Sequence, residues 1–424
     1  MKLFTASSLP LVLSLCMMLS FTVVPPPCSK AAQPQDGVTL PEKLQRAVEK
    51  TRDRYNLLGV SAAVTVHNVT ALSVSGYSDA HTLAPVEPEM LFGIFSLTKT
   101  FIATVVLQLT EEGILDLDDT IDMWLDIPGR YAKVIDKDIT VRQLLNHTSG
   151  IADFQTNPLL YLSILLSPHK AWLPEDVFSF LRRPFSPPGE KWHYSSTNYI
   201  LLGMIIEQAT DTSVSTEIRS RILEPLNLTR TFFRGEESIV GPVASPHFLL
   251  GNQQINIDHF YTDEVFNLVW SSGALYSTAE DLTRYASELF SGRLLNQNSM
   301  DEMLDFIHDV QLYPTIRPFS SGLGVMAIEH EKFGPVWFNS GYSLGYQTWW
   351  VYLPAMKVAC TVLINQDPER IDNTIWYPIE YLIDLLVFSY RVTPPLTPVT
   401  TSFVPTPINS IFETLSSYTH YRLW

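Results

Sequence analysis

The chain has 424 residues, of which 46% are hydrophobic and 17% charged, so it can bury a large core and a disordered protein is excluded. Its 28 basic and 44 acidic residues give a formal net charge of −16, which disfavours nucleic acid and anionic membranes as partners. Length alone predicts roughly two to three domains.

The N-terminus resembles a secretory signal peptide. Lys2 precedes an apolar run over residues 9–24, three prolines break that run, and small residues suited to cleavage follow at positions 29 and 31. We therefore expect residues 1–31 to be removed and the mature protein to be secreted or periplasmic. The run is shorter than the ~20 residues that a spanning helix needs, and an uncleaved anchor is the alternative.

Cysteine and metal chemistry have little support in the sequence. Cys16 and Cys28 leave with the signal segment, so the mature chain keeps Cys360 alone and cannot form an internal disulfide. His-x-x-x-His, Cys-x-x-Cys and glycine-rich phosphate-binding patterns do not occur in the sequence. We expect no metal and no cofactor.

The hydrophobic pattern changes twice along the chain. It predicts an amphipathic helix over residues 41–57, two strands in GVSAAVTVHN and ALSVSGYS, and a buried helix over Phe101–Leu109 that ends before Gly113. The pattern is mostly helical over residues 115–295, and then GLGVMAIEHE, GPVWFN, YQTWWVYL and KVACTVLIN predict strands. Strands from both ends of the chain predict one mixed sheet, interrupted by a helical domain.

The end of the chain has a different composition. A helix is predicted over residues 374–390, and it completes a domain that we assign to residues 36–392. The stretch 393–407 is rich in proline and threonine and predicts an extended linker. Residues 408–424 then form either a short aromatic helix or a disordered tail, so 393–424 is assigned as linker and tail.

One candidate nucleophile is Ser343, because Gly341–Gly345 reads Gly-x-Ser-x-Gly. A nucleophile elbow turns from a strand into a helix, and its acid and histidine partners follow it in the chain. The residues after Ser343 are β-branched and aromatic up to Pro354, and the one later histidine is His420. We therefore do not expect Ser343 to be a nucleophile.

A lysine one helical turn after a serine can take the hydroxyl proton once burial has lowered its pKa. The pattern Ser-x-x-Lys occurs at Ser96–Lys99 and at Ser167–Lys170. Ser96 opens the buried helix, and Lys99 begins a stretch without another charge until Glu111, whereas the second pair lies in a polar connection. Ser96 and Lys99 are the predicted catalytic pair, and an ordinary helix cap with a lysine that reaches solvent is the alternative.

Five ordered blocks of the sequence carry a family resemblance. FGIFSLTKTF, LTEEGILDLDD, ITVRQLLNHTSGI, WHYSSTNYILLGMIIE and WSSGALYSTAEDLTRYASELFSG resemble signatures of the serine β-lactamase-like and penicillin-binding-protein superfamily, on the side of class C β-lactamases, D-Ala-D-Ala carboxypeptidases and related esterases. The resemblance covers roughly residues 40–390. It implies an α/β fold, with an antiparallel sheet flanked by helices, an all-helical domain beside it, and the active site between them.

The same resemblance implies roles for individual residues. Ser96 would form an acyl-enzyme, with Lys99 as its base or proton shuttle. Tyr194 falls where the family has the tyrosine of Tyr-x-Asn, so it would share the acid and base work. Asn339-Ser340-Gly341 falls on the family's substrate strand, and the backbone N–H groups of Ser96 and Tyr342 would form an oxyanion hole, which can contribute about 3 to 4 kcal/mol.

Two positions depart from the family pattern. Ser196 replaces the asparagine of Tyr-x-Asn, and its shorter hydroxyl does not reach as far towards a substrate amide. Asn339 replaces a lysine or histidine that attracts a substrate carboxylate. The lost charge can weaken binding by about 1.5 to 3 kcal/mol. We therefore expect penicillin-like and D-Ala-D-Ala carboxylates to bind poorly.

These features together predict an exported serine hydrolase that acts on an ester, an amide or a small peptide, with esterase-like activity favoured over β-lactamase activity. Its partner would be a small-molecule or peptide substrate, without an integral membrane domain beyond the signal segment. A catalytically weakened binding or sensor protein on the same fold is the alternative, and a structural cell-surface module is a third possibility. Retention of Ser96, Lys99 and Tyr194 together favours the enzyme.

Overall fold

The computed structural model describes residues 38–66, 69–167, 170–250, 253–312 and 318–367. The signal peptide with Cys16 and Cys28, the helix predicted over 374–390, and the linker and tail over 393–424 lie outside the described residues. Those expectations stay predictions.

Helices and strands both occur throughout the described segments. The helices are α1 (Leu40–Tyr55), α2 (Thr98–Glu111), α3 (Ile121–Trp124), α4 (Val141–Leu145), α5 (Pro158–Leu166), α6 (Ser196–Thr210), α7 (Val214–Ile218), α8 (Asp263–Gly273), α9 (Ala279–Phe290) and α10 (Gln297–Met303). The strands are β1 (Gly59–Val66), β2 (Val69–Gly76), β3 (Phe92–Gly93), β4 (Phe232–Phe233), β5 (His247–Leu250), β6 (Gln253–Asn256), β7 (Leu275–Ser277), β8 (Ile307–Val310), β9 (Phe319–Ser321), β10 (Met326–His330), β11 (Gly334–Ser343), β12 (Tyr346–Leu353) and β13 (Val358–Ile364).

An eight-stranded sheet forms the centre of the fold, in the order β2-β1-β13-β12-β11-β10-β9-β8. Every neighbouring pair in it is antiparallel. The antiparallel sheet flanked by helices is therefore confirmed, and the expectation of mixed strand directions is wrong. The early strands β1 and β2 join the late strand β13, as the pattern at the two ends of the chain predicted.

Helices cover both faces of this sheet, which explains why β12 and β13 are buried along their whole length. Helix α1 packs on β1 and β2 from one face, and α9 packs on β1, β12 and β13 from the other. A threonine cap with a capping box and an early proline start α1. The sheet is thus the middle layer of three, with an apolar cluster on each side.

The part of the chain predicted as mostly helical also contains short strands. Strand β7 joins β3 and β4 in a three-stranded sheet, and β5 and β6 form a hairpin. These strands have two to four residues, too few for a visible period of two. Among the described segments, no helix has the length and apolar character needed to cross a bilayer.

Helix α2 is the buried helix that the sequence predicted, and it lies inside the protein along most of its length. Its Phe101 stacks on Tyr285 of α9, with 3.8 Å between the ring centroids. The apolar run predicted this helix over Phe101–Leu109, with Ser96 at its start. The observed helix begins at Thr98, directly after the short 3-10 helix that carries Ser96.

We expect Phe101→Ala to lower the free energy of unfolding by about 3 to 5 kcal/mol, because it empties a closed part of the core. Phe185 is 51% exposed and provides a matched control. Phe185→Ala should cost about 1 kcal/mol at most. Urea unfolding of the two variants gives both numbers, and equal losses would contradict this account of the core.

Candidate active site

Ser96 lies in a short 3-10 helix, Phe95–Leu97, that runs directly into α2. Phe95 has a φ of 43°, in the left-handed region that a phenylalanine rarely adopts. Its ring packs against Tyr261, Phe266 and Tyr346, with centroid distances of 5.8 to 6.0 Å. These aromatic contacts hold the strained turn in place, so the Ser96 side chain is presented at the head of the helix.

Lys99 is one helical turn further along, and its side chain is buried. The Nζ atom is 3.1 Å from Ser96 Oγ and donates a hydrogen bond of 2.9 Å to the carbonyl oxygen of Ser272. It also lies over the rings of Tyr194 and Tyr199, 5.0 and 5.6 Å from their centroids. Burial lowers the pKa of Lys99 to about 7, so a large fraction is a free amine at neutral pH.

The Tyr194 hydroxyl also contacts Ser96. Its oxygen is 2.7 Å from Ser96 Oγ, and the chain then enters α6 at Ser196. The buried imidazole of His147 packs on the Tyr194 ring, with 4.5 Å between centroids, and its Nδ1 accepts the N–H of Ser195 at 3.2 Å. Burial and the nearby Lys99 lower the pKa of His147 to about 3, so this imidazole is neutral.

These contacts bring together the three residues predicted to be catalytic. Ser96 Oγ lies between an amine and a phenol, and each of them can exchange a proton with it. The second Ser-x-x-Lys pair lies elsewhere. There Lys170 is 42% exposed, pairs with Asp176 at 3.1 Å and lies 3.6 Å from the centroid of the Trp172 ring. That is the geometry of a surface ion pair.

Strand β11 lies beside the short 3-10 helix Phe95–Leu97 that carries Ser96, the serine turn. A side-chain carbon on Gly341 would lie 1.9 Å from the carbonyl oxygen of Ile94 and 2.6 Å from Thr348 Oγ1. Only glycine permits this approach. Strand β10 pairs with β11 no further than Phe338, so residues 339–343 extend past it beside the serine turn. Ser343 then turns into the hairpin to β12 and not into a helix.

The other substrate-strand residues have different surroundings. The Asn339 side chain is 2% exposed, and its Nδ2 donates to Thr100 Oγ1 at 2.8 Å and to the carbonyl oxygen of Gly324 at 3.0 Å. Its Oδ1 accepts the N–H of the half-buried Ser340 at 2.7 Å. Both donors of the Asn339 amide are therefore used inside the protein, so this side chain ties β11 to α2.

Tyr342, the next predicted residue, is 42% exposed. Its hydroxyl donates to Asp367 Oδ1 at 2.6 Å, beyond the end of β13. Burial raises the pKa of Asp367 to about 6. The Tyr342 side chain thus reaches the residues that follow β13, while its backbone belongs to β11.

Two residues of this site were missed from the sequence. The buried Ser196 hydroxyl donates to Gln155 Oε1 at 3.2 Å, so Gln155 brings an amide next to the position where the family has asparagine. Asp153 is buried next to Gln155, whose N–H its Oδ1 accepts at 3.0 Å, and burial raises the pKa of this carboxyl. The signal for Asp153 was a lone charge in the apolar stretch GIADF. Gln155 had no local signal, because its contact joins loops that are 41 residues apart.

The described ranges offer little to a metal ion. Within them, no three His, Cys, Asp or Glu side chains come close enough together to hold one. The polar side chains in contact with Ser96 are an amine and a phenol, and the chemistry they offer is proton transfer.

Comparison with known proteins gives a family and several structural neighbours. A family model described as beta-lactamase matches residues 44–380. Penicillin-binding protein 4* of Bacillus subtilis (strain 168) is 26% identical over 357 residues, covering 80% of this chain and 75% of that protein. Protein flp of Staphylococcus aureus (strain N315) is 24% identical, and this chain spans 65% of its length.

Two solved structures have the same fold at 26% sequence identity. D-amino acid amidase from Ochrobactrum anthropi SV3, complexed with L-phenylalanine amide, has a TM-score of 0.72 and covers 83% of this chain and 99% of its own. D-stereospecific amidohydrolase from Streptomyces sp. has a TM-score of 0.67, and the match covers 81% of this chain and 97% of the amidohydrolase chain. Both likenesses therefore extend over most of this chain.

We expect Gly341→Ala to cost about 1 to 3 kcal/mol of folding free energy, because the added carbon forces β11 away from the serine turn. A side-chain carbon on Gly129 would have no other atom within 4 Å, so Gly129 serves as the control position. Urea unfolding of Gly341→Ala and Gly129→Ala measures the difference. If both variants had the wild-type midpoint, the close approach of β11 to Ile94 would be wrong.

Proposed function

This chain belongs to the β-lactamase family, and so to the serine hydrolases of the β-lactamase and penicillin-binding-protein superfamily. We propose that it is an exported enzyme that forms an acyl-enzyme on Ser96. The observation that carries the proposal is the convergence of Lys99 Nζ and Tyr194 Oη on Ser96 Oγ, at 3.1 and 2.7 Å. Export rests on the N-terminal sequence alone.

Acylation begins with proton removal from Ser96. As the Oγ atom bonds to the substrate carbonyl carbon, its proton passes to the free amine of Lys99, directly or through Tyr194. The backbone N–H groups of Ser96 and Tyr342 stabilise the negative charge on the carbonyl oxygen. Lys99 and Tyr194 then return the proton to the leaving oxygen or nitrogen as the bond to the acyl carbon breaks.

The charges around Ser96 favour substrates without a required carboxylate. Asn339 is neutral, and the low pKa of His147 keeps the imidazole neutral as well. Lys99 is then the group of the site that can carry a positive charge, and burial lowers its pKa to about 7. We therefore assign esters, amides or small peptides as substrates. Support for an amide substrate comes from the amidase of similar fold, which was solved with L-phenylalanine amide and also with D-phenylalanine.

The second candidate is a binding or sensor protein with weakened catalysis. It is favoured by Ser196 and Asn339, because both departures remove substrate contacts that the family uses. Against it stands the burial of Lys99, since a scaffold gains nothing from an amine taken out of water. The enzyme is therefore the proposal that the site supports best.

Two covalent probes separate these functions. We expect the purified protein to react with a fluorophosphonate and to react poorly with a fluorescent penicillin, because no cation at position 339 attracts the penicillin carboxylate. Ser96→Ala and Lys99→Ala should abolish fluorophosphonate labelling, as measured by in-gel fluorescence. Ser167→Ala and Lys170→Ala are the matched controls, since they alter the second Ser-x-x-Lys pair, and they should label like wild type.

The outcomes are distinct. Absence of labelling by either probe would favour the binding protein and overturn the enzyme. Strong penicillin labelling would contradict the substrate class, while leaving Ser96 as the nucleophile.

The labelling rate should also depend on pH in a defined direction. Burial lowers the pKa of Lys99 to about 7, so the free amine that activates Ser96 accumulates as the pH rises through 7. We expect the second-order rate constant for fluorophosphonate labelling to rise from pH 5.5 and to reach half its maximum at about pH 7. A half-maximum at about pH 10, the ordinary value for lysine, would show that the amine is hydrated and not buried.

A further inference from the structure

We infer that His147 is a positioning residue for Tyr194: it accepts hydrogen bonds from the backbone on both sides of this tyrosine and packs its ring on the phenol, and it thereby holds the Tyr194 hydroxyl at Ser96. The inference rests on the proposed function, because it concerns a residue that exchanges protons in that site. His147 lies in the block ITVRQLLNHTSGI of the family resemblance, but the resemblance gave it no role.

One residue accepts both hydrogen bonds next to Tyr194. The N–H of His193 donates to the carbonyl oxygen of His147 at 2.9 Å, and the N–H of Ser195 donates to His147 Nδ1 at 3.2 Å. The backbone is thus fixed one residue before and one residue after Tyr194. Because the phenol oxygen lies at the end of a long side chain, a small rotation of this backbone would break its 2.7 Å contact with Ser96 Oγ.

The imidazole ring of His147 also contacts the Tyr194 ring directly, with 4.5 Å between the centroids and 32° between the planes. Trp192 and Tyr199 pack on the same imidazole, at centroid distances of 6.1 and 5.4 Å. His147 is 4% exposed. A buried ring packed among three aromatic side chains has little room to move, so it restricts the tilt of the phenol.

The hydrogen bond from Ser195 defines the form of the imidazole. A ring nitrogen that accepts an N–H carries no proton, so the neutral ring has its proton on Nε2. Burial lowers the pKa of His147 to about 3, and the nearby Lys99 acts in the same direction, so the neutral form persists at the pH of the labelling experiments. His147 is therefore an acceptor for the backbone and not an acid or base of the reaction.

The backbone of His147 adopts a sparsely populated conformation. Its φ is 63°, in the left-handed region that residues other than glycine rarely occupy. Such a conformation persists where the surrounding structure determines it, and it often accompanies a functional site. In this conformation the carbonyl oxygen and Nδ1 of one residue both meet the segment that carries Tyr194.

The test is a double-variant cycle with Tyr194→Phe, measured as the second-order rate constant of fluorophosphonate labelling. We expect Tyr194→Phe to slow labelling by about a hundredfold, because the phenol no longer exchanges a proton with Ser96. His147→Gln should slow labelling by about ten- to a hundredfold, because it displaces that phenol. In the Tyr194→Phe background, His147→Gln should cost less than about twofold more, whereas losses at independent positions multiply.

Three substitutions at position 147 test the hydrogen bond itself. Asparagine has an amide oxygen close to the position of Nδ1 and tolerates a positive φ, so His147→Asn should label within about threefold of wild type. Glutamine places its amide one bond further out, and His147→Gly has no acceptor although it adopts a positive φ freely. Both should label about tenfold more slowly than His147→Asn, and either one suffices if the other fails to fold.

His247 provides a matched control, because it is also a buried histidine that accepts a backbone N–H. Its Nε2 accepts the N–H of Ala80 at 3.1 Å, and its Nδ1 bonds to the carbonyl oxygen of Ser245 at 2.8 Å. Neither contact involves a residue of the active site. His247→Asn should lower the melting temperature, while its labelling rate, measured well below that temperature, should stay within about twofold of wild type.

Three results would overturn the inference. His147→Asn could label as slowly as His147→Gly, the losses at positions 147 and 194 could multiply, or Tyr194→Phe could label like wild type, which would leave His147 nothing to position. Each of these results leaves Ser96 and Lys99 as the reactive pair. If wild type itself is not labelled, or if Ser96→Ala still is, the proposed function fails first.

Discussion

Lys99 carries an amine that is charged and hydrated in water, yet in this protein the residue is 2% exposed. Taking a charged group into a protein costs several kcal/mol unless its neighbours compensate or the group loses its proton. Both occur in this protein. Burial shifts the amine towards the neutral form, and the carbonyl of Ser272, the Ser96 hydroxyl and two tyrosine rings surround it. The elements that carry these groups must therefore meet around one atom.

The sheet provides the other wall of the site. Its edge beyond β10 is brought up to the serine turn by Gly341, and the Asn339 amide ties the same strand to Thr100 on α2. The strained Phe95 is held between aromatic rings from three other segments. The backbone strain at Phe95, the residue before Ser96, is thus offset by the packing of its ring.

Much of this could be predicted from sequence, where a local pattern reports directly on burial. The long apolar run of α2 and the strands β11 to β13 were predicted because buried elements leave continuous hydrophobic stretches. Ser96, Lys99 and Tyr194 were selected because their spacing carries chemistry. The short strands β4 to β7 were not predicted, since a few residues show no period.

The missed parts of the site have a common cause. Gln155 meets Ser196 from a short 3-10 helix that Asp153 caps, 41 residues earlier in the chain, so the positions of Asp153 and Gln155 depend on tertiary contacts that no local pattern records. The orientation of Asn339 was likewise hidden. A motif shows which residue lies on a strand, but it does not show which way the side chain points. In this protein the Asn339 side chain points towards α2, and both donors of its amide are used there in hydrogen bonds to Thr100 and Gly324.

The charge balance at the site connects these points to substrate choice. In the family pattern, a lysine or histidine at position 339 adds a second cation, which attracts carboxylates. This chain has a neutral amide there, and both donors of that amide are used inside the protein. The site therefore has one positive charge fewer than the family pattern. A substrate carboxylate gains less attraction in such a site, whereas a neutral ester or amide does not depend on that charge.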